Sequence, residues 1–178
     1  MLDQNRIKEA ENNVKNYLEE RMLIKTSNIK SKEMYIKNSD ISIETAENLL
    51  ELSNENYTPY LWIIVTSYYA MYYVANAILL NLGFKVGDKV SHKVTEDSLI
   101  VFVRNKLNKK LLEEYEKAKE EAIELTASKV DNIINSFEYE REKRSDFQYN
   151  MDNEAKRSKA VTSVERAKEF IFEMRKLL

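Results

Sequence analysis

Between Tyr60 and Leu80 the chain reads YLWIIVTSYYAMYYVANAILL, twenty-one residues without a charge in a sequence that is 33% charged overall. A helix apolar on every side must be enclosed by other elements, so this segment is expected to be the central helix against which the rest of the chain buries its apolar stripes. The competing reading is a membrane span, because this length crosses a bilayer. Five tyrosines, Thr66, Ser67 and Asn76 lie in the segment, and a lone span leaves their polar groups facing lipid without partners. A buried core helix is the expectation, with no membrane contact.

The remaining composition agrees. A chain of 178 residues is about one domain long. Two glycines and one proline are too few for a sheet protein joined by many turns. The expected fold class is all-α: an up-and-down helical bundle of about six helices, one domain over residues 1–178. Without cysteine there is no disulfide, thiolate metal site or cysteine nucleophile. The start MLDQNRIKEAENN lacks the basic and apolar runs of a signal peptide, so a cytoplasmic location is expected. A net charge of -2 gives no global attraction to nucleic acid, so any such binding needs a local patch.

In chain order, Ile7, Ala10, Val14, Tyr17 and Leu18 predict an amphipathic helix over residues 3–25. A second helix is expected over 31–53, with a kink possible at the capping cluster Asn38-Ser39-Asp40. Thr58 and Pro59 suit the cap and first turn of the central helix, and Gly83 suits the left-handed position beyond its end. From Lys85 to Lys110, seven Lys or Arg face Asp88, Glu96 and Asp97, a local charge of +4. A short helix is expected there over 92–107, with Val94, Leu99, Phe102 and Val103 inward. From Leu111 to Leu125, six glutamates outnumber Lys117 and Lys119, on a helix expected to reach Phe147. Both charge runs read as solvated helix faces. A last helix is expected from 153 to the end, and there is no internal repeat or linker.

Motifs for metal or nucleotide-cradling chemistry are absent: one histidine makes no His-rich site, and neither a P-loop nor H-E-x-x-H occurs. No cofactor and no metal are expected. The stretch FEYEREKRSDFQY at 137–149 is different, because at helical spacing Phe137, Arg141, Arg144 and Gln148 share one face. Arginine forks beside aromatic rings fit phosphate gripping and base stacking. The alternative is that Arg141 and Arg144 pair with Glu138, Glu140 or Asp146 while Phe137 and Phe147 enter the core.

Ala46-x-x-Leu49-Leu50, Tyr57, the SYYAMYYVANAILL helix from Ser67, Gly83 with Lys85 and Lys89, Ser91-His92, and Arg144 before Asp146-Phe147 together resemble the HEPN superfamily. The likeness is to its small prokaryotic, UPF0332-like branch and covers residues 45–178, leaving 1–44 as a helical extension. The resemblance implies a helical bundle that dimerises, often encoded beside a nucleotidyltransferase partner, in some cases as a toxin–antitoxin component. Catalytic relatives are metal-independent ribonucleases with an R-x(4 to 6)-H motif, the arginine steadying phosphate charge and the histidine assisting attack by the RNA 2′-hydroxyl. Here the position five after Arg144 is Tyr149, giving R-x4-Y. A tyrosine titrates near 10, so at neutral pH it donates or orients rather than acting as a base.

The expected site therefore comprises Arg144 and Tyr149 as the catalytic pair, with Arg141, Asp146, Ser67, Tyr68, Tyr69 and His92 as binding residues. His92 reads as a capping, ligand-binding or catalytic residue, and the tyrosines as core or as cleft wall. Three functions follow: an RNA- or nucleotide-binding module, a metal-independent endoribonuclease using R-x4-Y, or a non-catalytic interaction dimer.

Overall fold

The computed structural model describes residues 3–107, 109–139 and 153–178. Among them the fold is a mostly α-helical bundle. Its elements are α1 (Gln4–Glu19), β1 (Leu23–Lys25), α2 (Lys32–Leu52), α3 (Tyr60–Asn81), β2 (Phe84–Val86), α4 (Ser91–Phe102), α5 (Lys109–Tyr139) and α6 (Asn153–Arg175). The uncharged segment is α3, and it packs against α2, α4, α5, α6 and β2. By length and apolarity alone α3 would suit a membrane span, yet 72% of its most apolar window is buried inside the bundle.

Several polar groups at α3 are hydrogen-bonded, within the helix or to neighbouring elements. Ser39 of α2 donates its hydroxyl to the Ala70 carbonyl at 2.8 Å, and Asn76 Nδ2 reaches the Tyr72 carbonyl at 2.9 Å and Thr95 Oγ1 at 3.3 Å. Ser39 is therefore engaged against α3 rather than capping, and α2 is one unbroken helix through Asn38-Ser39-Asp40, the single helix that was expected. Thr58 makes no cap either. The capping position is Pro59, whose carbonyl accepts from Ile63 N–H at 3.1 Å.

Two core clusters result. The larger joins Ala10 and Val14 of α1 to Met71, Val74 and Ile78 of α3, Leu99 of α4, Tyr115 of α5 and Phe170 of α6. The smaller gathers Ala46, Tyr60, Ile63, Ile64, Ala160 and Val164 at the start of α3. The N-terminal helix is thus part of the main core.

The all-α bundle expected from sequence is present, and a small two-stranded sheet accompanies its helices. α1 stops at Glu19 rather than at residue 25, because Arg21 takes a left-handed conformation, φ 58°, and turns the chain. β1 then pairs antiparallel with β2 in the register Leu23↔Val86, Ile24↔Lys85 and Lys25↔Phe84. Bonds from Thr26 N–H to the Gly83 carbonyl and from Gly87 N–H to the Met22 carbonyl, both 2.8 Å, extend the pairing. Leu23 is almost fully buried, on the strand rather than on a helix. α4 also ends early, at Phe102, whose ring stacks on Phe84 of β2 at 4.2 Å between centroids.

Gly83 closes α3 as its sequence position foretold: its φ is +87°, and its N–H reaches the Leu80 carbonyl at 3.0 Å. An added Cβ would also stand 3.4 Å from the Thr26 carbonyl, on the strand turn. Gly83→Ala should therefore destabilise the fold by about 1–2 kcal/mol, read as a lower urea midpoint with an unchanged slope.

Candidate functional site

The aromatic residues of SYYAMYY converge where the first turn of α4 crosses α3. Tyr68, Tyr69 and Tyr72, at steps of one and three, project on one side of α3. His92 stands among them, its ring centroid 5.5 Å from Tyr68, 5.8 Å from Tyr69 and 4.5 Å from Tyr72. Tyr73 continues the group toward Tyr35 of α2, the two rings lying 6.4 Å apart. Tyr115 closes the inner side, 5.9 Å from Tyr68 and stacked on Phe170 at 5.3 Å. The segment that delivers His92 is strained: Val90, at the cap of α4, has φ 43° and ψ 34°, left-handed values that a β-branched side chain resists.

The central polar contact is between the Tyr68 hydroxyl and His92 Nδ1, at 2.7 Å. Tyr68 is only 2% exposed, so its proton needs an acceptor inside the protein. Burial raises the pKa of Tyr68 and Tyr115, which keeps both phenols protonated. His92 is lowered from its ordinary value, first by burial and then by the Lys119 charge, so it is neutral at pH 7. A neutral ring accepting at Nδ1 carries its proton on Nε2.

Along α4 from His92, two adjacent carboxylates enter the interior: Glu96 is 3% exposed and Asp97 is fully buried. Arg6 of α1 ion-pairs with Glu96, with Asp97 at 2.7 Å and with Glu116 of α5 at 3.3 Å. Lys119 of α5 binds Glu96, and Lys93 lies 3.6 Å from Glu96 and 3.4 Å from Asp97. Asn13 Nδ2 and the Tyr17 hydroxyl each donate to Asp97 Oδ2 at 3.0 Å. Burial opposes the charges of Arg6 and Glu96, but their partners prevail: the Arg6 pKa is held up and the Glu96 pKa down. Glu116 moves the other way, pushed up by burial and by the neighbouring Glu96.

This network corrects the reading of the charge runs as solvated faces. Glu96 and Asp97 face inward, Lys93 is consumed by them, and Arg104 pairs with Glu11 at 3.2 Å. Of the acidic run, Glu114 and Glu121 hold Arg166 of α6, which is itself buried. Asp97 lies three residues after the inward Val94, on the same helix face, a spacing that marked it for burial.

Of the residues expected from sequence, the fold brings together Tyr68, Tyr69 and His92. Ser67 is buried elsewhere on α3, roughly 200° around the helix from Tyr69, and its hydroxyl has no partner among the described residues. Arg141, Arg144, Asp146 and Tyr149 lie outside the described residues. Tyr72, Tyr115, Lys119 and Glu96 join the site from structure alone. Among the described residues, no group of three or more His, Asp or Glu is placed to hold a metal ion. The chain matches no protein-family model, no curated protein and no solved structure.

Two consequences can be measured. Arg6→Met leaves Glu96 and Asp97 without a principal counter-charge and should cost about 3–5 kcal/mol in urea unfolding. His92 titrates at lower pH in the folded than in the unfolded chain, so its stability contribution is full above pH 6.5 and declines as pH falls below that value. Between pH 7.5 and 5.5 the wild type should therefore lose more stability than His92→Asn, whose Oδ1 can still accept from Tyr68.

Proposed function

We propose that the protein is an RNA- or nucleotide-binding module of the HEPN type, with the tyrosine and histidine cluster at the crossing of α3 and α4 as its binding wall. The observation that carries this reading is the grouping of Tyr69, Tyr72 and His92 as part-exposed rings around one point, Tyr69 being 36% exposed. Rings that accept stacking on their faces bind bases of any sequence, each stack being worth about 1–3 kcal/mol. Cations for phosphate stand close in sequence: exposed Lys85 and Lys89 lie on the segment leading to His92.

Binding fits the site better than catalysis by His92. A general base needs a free ring nitrogen, whereas Nδ1 is engaged by the Tyr68 hydroxyl at 2.7 Å. The endoribonuclease reading rests instead on Arg144 and Tyr149. In the proposed role the module works as a homodimer beside a nucleotidyltransferase partner, in a toxin–antitoxin arrangement.

Fluorescence anisotropy with a labelled single-stranded RNA tests the proposal. The wild type should bind, with affinity falling as salt rises, and Tyr69→Ala should weaken it roughly five- to one-hundred-fold at an unchanged melting temperature. Failure to bind even at low salt would remove the reading. Cleavage of the RNA in EDTA, lost in Arg144→Ala, would instead favour the ribonuclease.

A further inference from the structure

The sequence holds one histidine, and everything packed around it bears on where its proton sits. On α3, Tyr68 lies inside and Tyr69 and Tyr72 flank the ring; on α5, Tyr115 and Lys119 approach from below; on α4, Lys93 and Glu96 follow by one and four residues. Lys93 and Lys119 are both committed to Glu96. No carboxylate is bonded to the ring among the described residues, so nothing stabilises an imidazolium against burial and the Lys119 charge.

Burial of the Tyr68 hydroxyl gives the ring its direction. Tyr115 is fully buried beside Tyr68, the rings 5.9 Å apart, but its own hydroxyl has no hydrogen-bond partner among the described residues, so the Tyr68 proton finds no acceptor there. His92 Nδ1, at 2.7 Å, is the acceptor. Nε2 is absent from the buried polar atoms lacking a partner, and no hydrogen bond to it occurs among the described residues. On a part-exposed ring, that atom opens to solvent.

Building on the binding role argued above, we propose that Tyr68 is a positioning residue. By donating to Nδ1 it fixes His92 as the Nε2–H tautomer, and His92 presents that N–H as a standing donor to an acceptor oxygen of a nucleotide lying against Tyr69 and Tyr72. An imidazolium donor disappears as pH rises through its pKa, whereas this donor is neutral and persists from pH 7 upward. The acceptor belongs to a phosphate or to a base carbonyl, and Tyr68 contributes without touching the ligand.

Because there is a single histidine, a long-range proton–nitrogen NMR spectrum of the uniformly labelled wild type reads the tautomer directly. At pH 7.5 Nε2 should carry the proton and Nδ1 should show the signature of a hydrogen-bonded acceptor; Tyr68→Phe, folded by circular dichroism, should give a mixture of tautomers. A wild-type ring protonated on Nδ1 overturns the proposal. In RNA binding both His92→Gln and His92→Asn lose the ring, but His92→Gln, whose amide N–H replaces Nε2–H, should bind roughly three- to ten-fold tighter than His92→Asn, the worth of one hydrogen bond. Equal affinity of the two variants overturns the donor role. Equal loss on an oligouridylate and on an abasic oligoribonucleotide assigns the acceptor to the sugar–phosphate backbone, and loss confined to the oligouridylate assigns it to the base. If the wild type binds no RNA, the functional reading and the donor role fall together, while the spectrum still decides the positioning role of Tyr68.

Discussion

Two neighbouring carboxylates with no route to water organise one side of this bundle. Removing an ionised carboxylate from solvent costs several kcal/mol even after relaxation, and repayment requires close counter-charges and hydrogen bonds. Glu96 and Asp97 recruit them from three helices: Arg6 from α1, Lys93 from α4 itself and Lys119 from α5. Arg6, Lys93 and Lys119 balance Glu96, Asp97 and Glu116 in formal charge. An apolar core of the same shape is often as stable as such a network, so what it adds is registration. The observed arrangement of α1, α4 and α5 brings these charges together.

That arrangement reaches the tyrosine cluster through Lys119. Held by Glu96, the ammonium stands close enough to His92 to disfavour a second positive charge, and burial acts in the same direction. The histidine is left neutral and bonded to Tyr68, with Tyr69 and Tyr72 around it. The most apolar helix therefore supplies the most polarised surface. Its inner residues enclose the core, and its phenols meet the first turn of α4.

Much of the fold was legible because its signals are local. Helical periodicity in Ile7, Ala10 and Val14, the cap-breaking Gly83, and the sparsity of glycine and proline act over a few residues and are read without partners. The errors all came from competition by distant groups. Ser39 had the chemistry of a cap but found the Ala70 carbonyl thirty-one residues away. Leu23 lay inside the expected first helix but found β2, and the short sheet formed between residues about sixty apart in the chain. Of the site, the tyrosines and His92 were visible as residue types, whereas Tyr115 and Lys119 carried no local mark.

The sequence by itself predicted that an uncharged twenty-one-residue stretch is enclosed by amphipathic helices, because a helix apolar on every side has no face to turn to water. It also determined the inventory: one histidine, a crowd of tyrosines, no cysteine. Only the tertiary structure decided that Glu96 and Asp97 turn inward and that Tyr68 meets His92. The physical reason is that burial and pairing are properties of neighbours. A carboxylate or an imidazole has the same intrinsic chemistry at every place in a chain, and the fold alone sets which charges, hydroxyls and rings surround it.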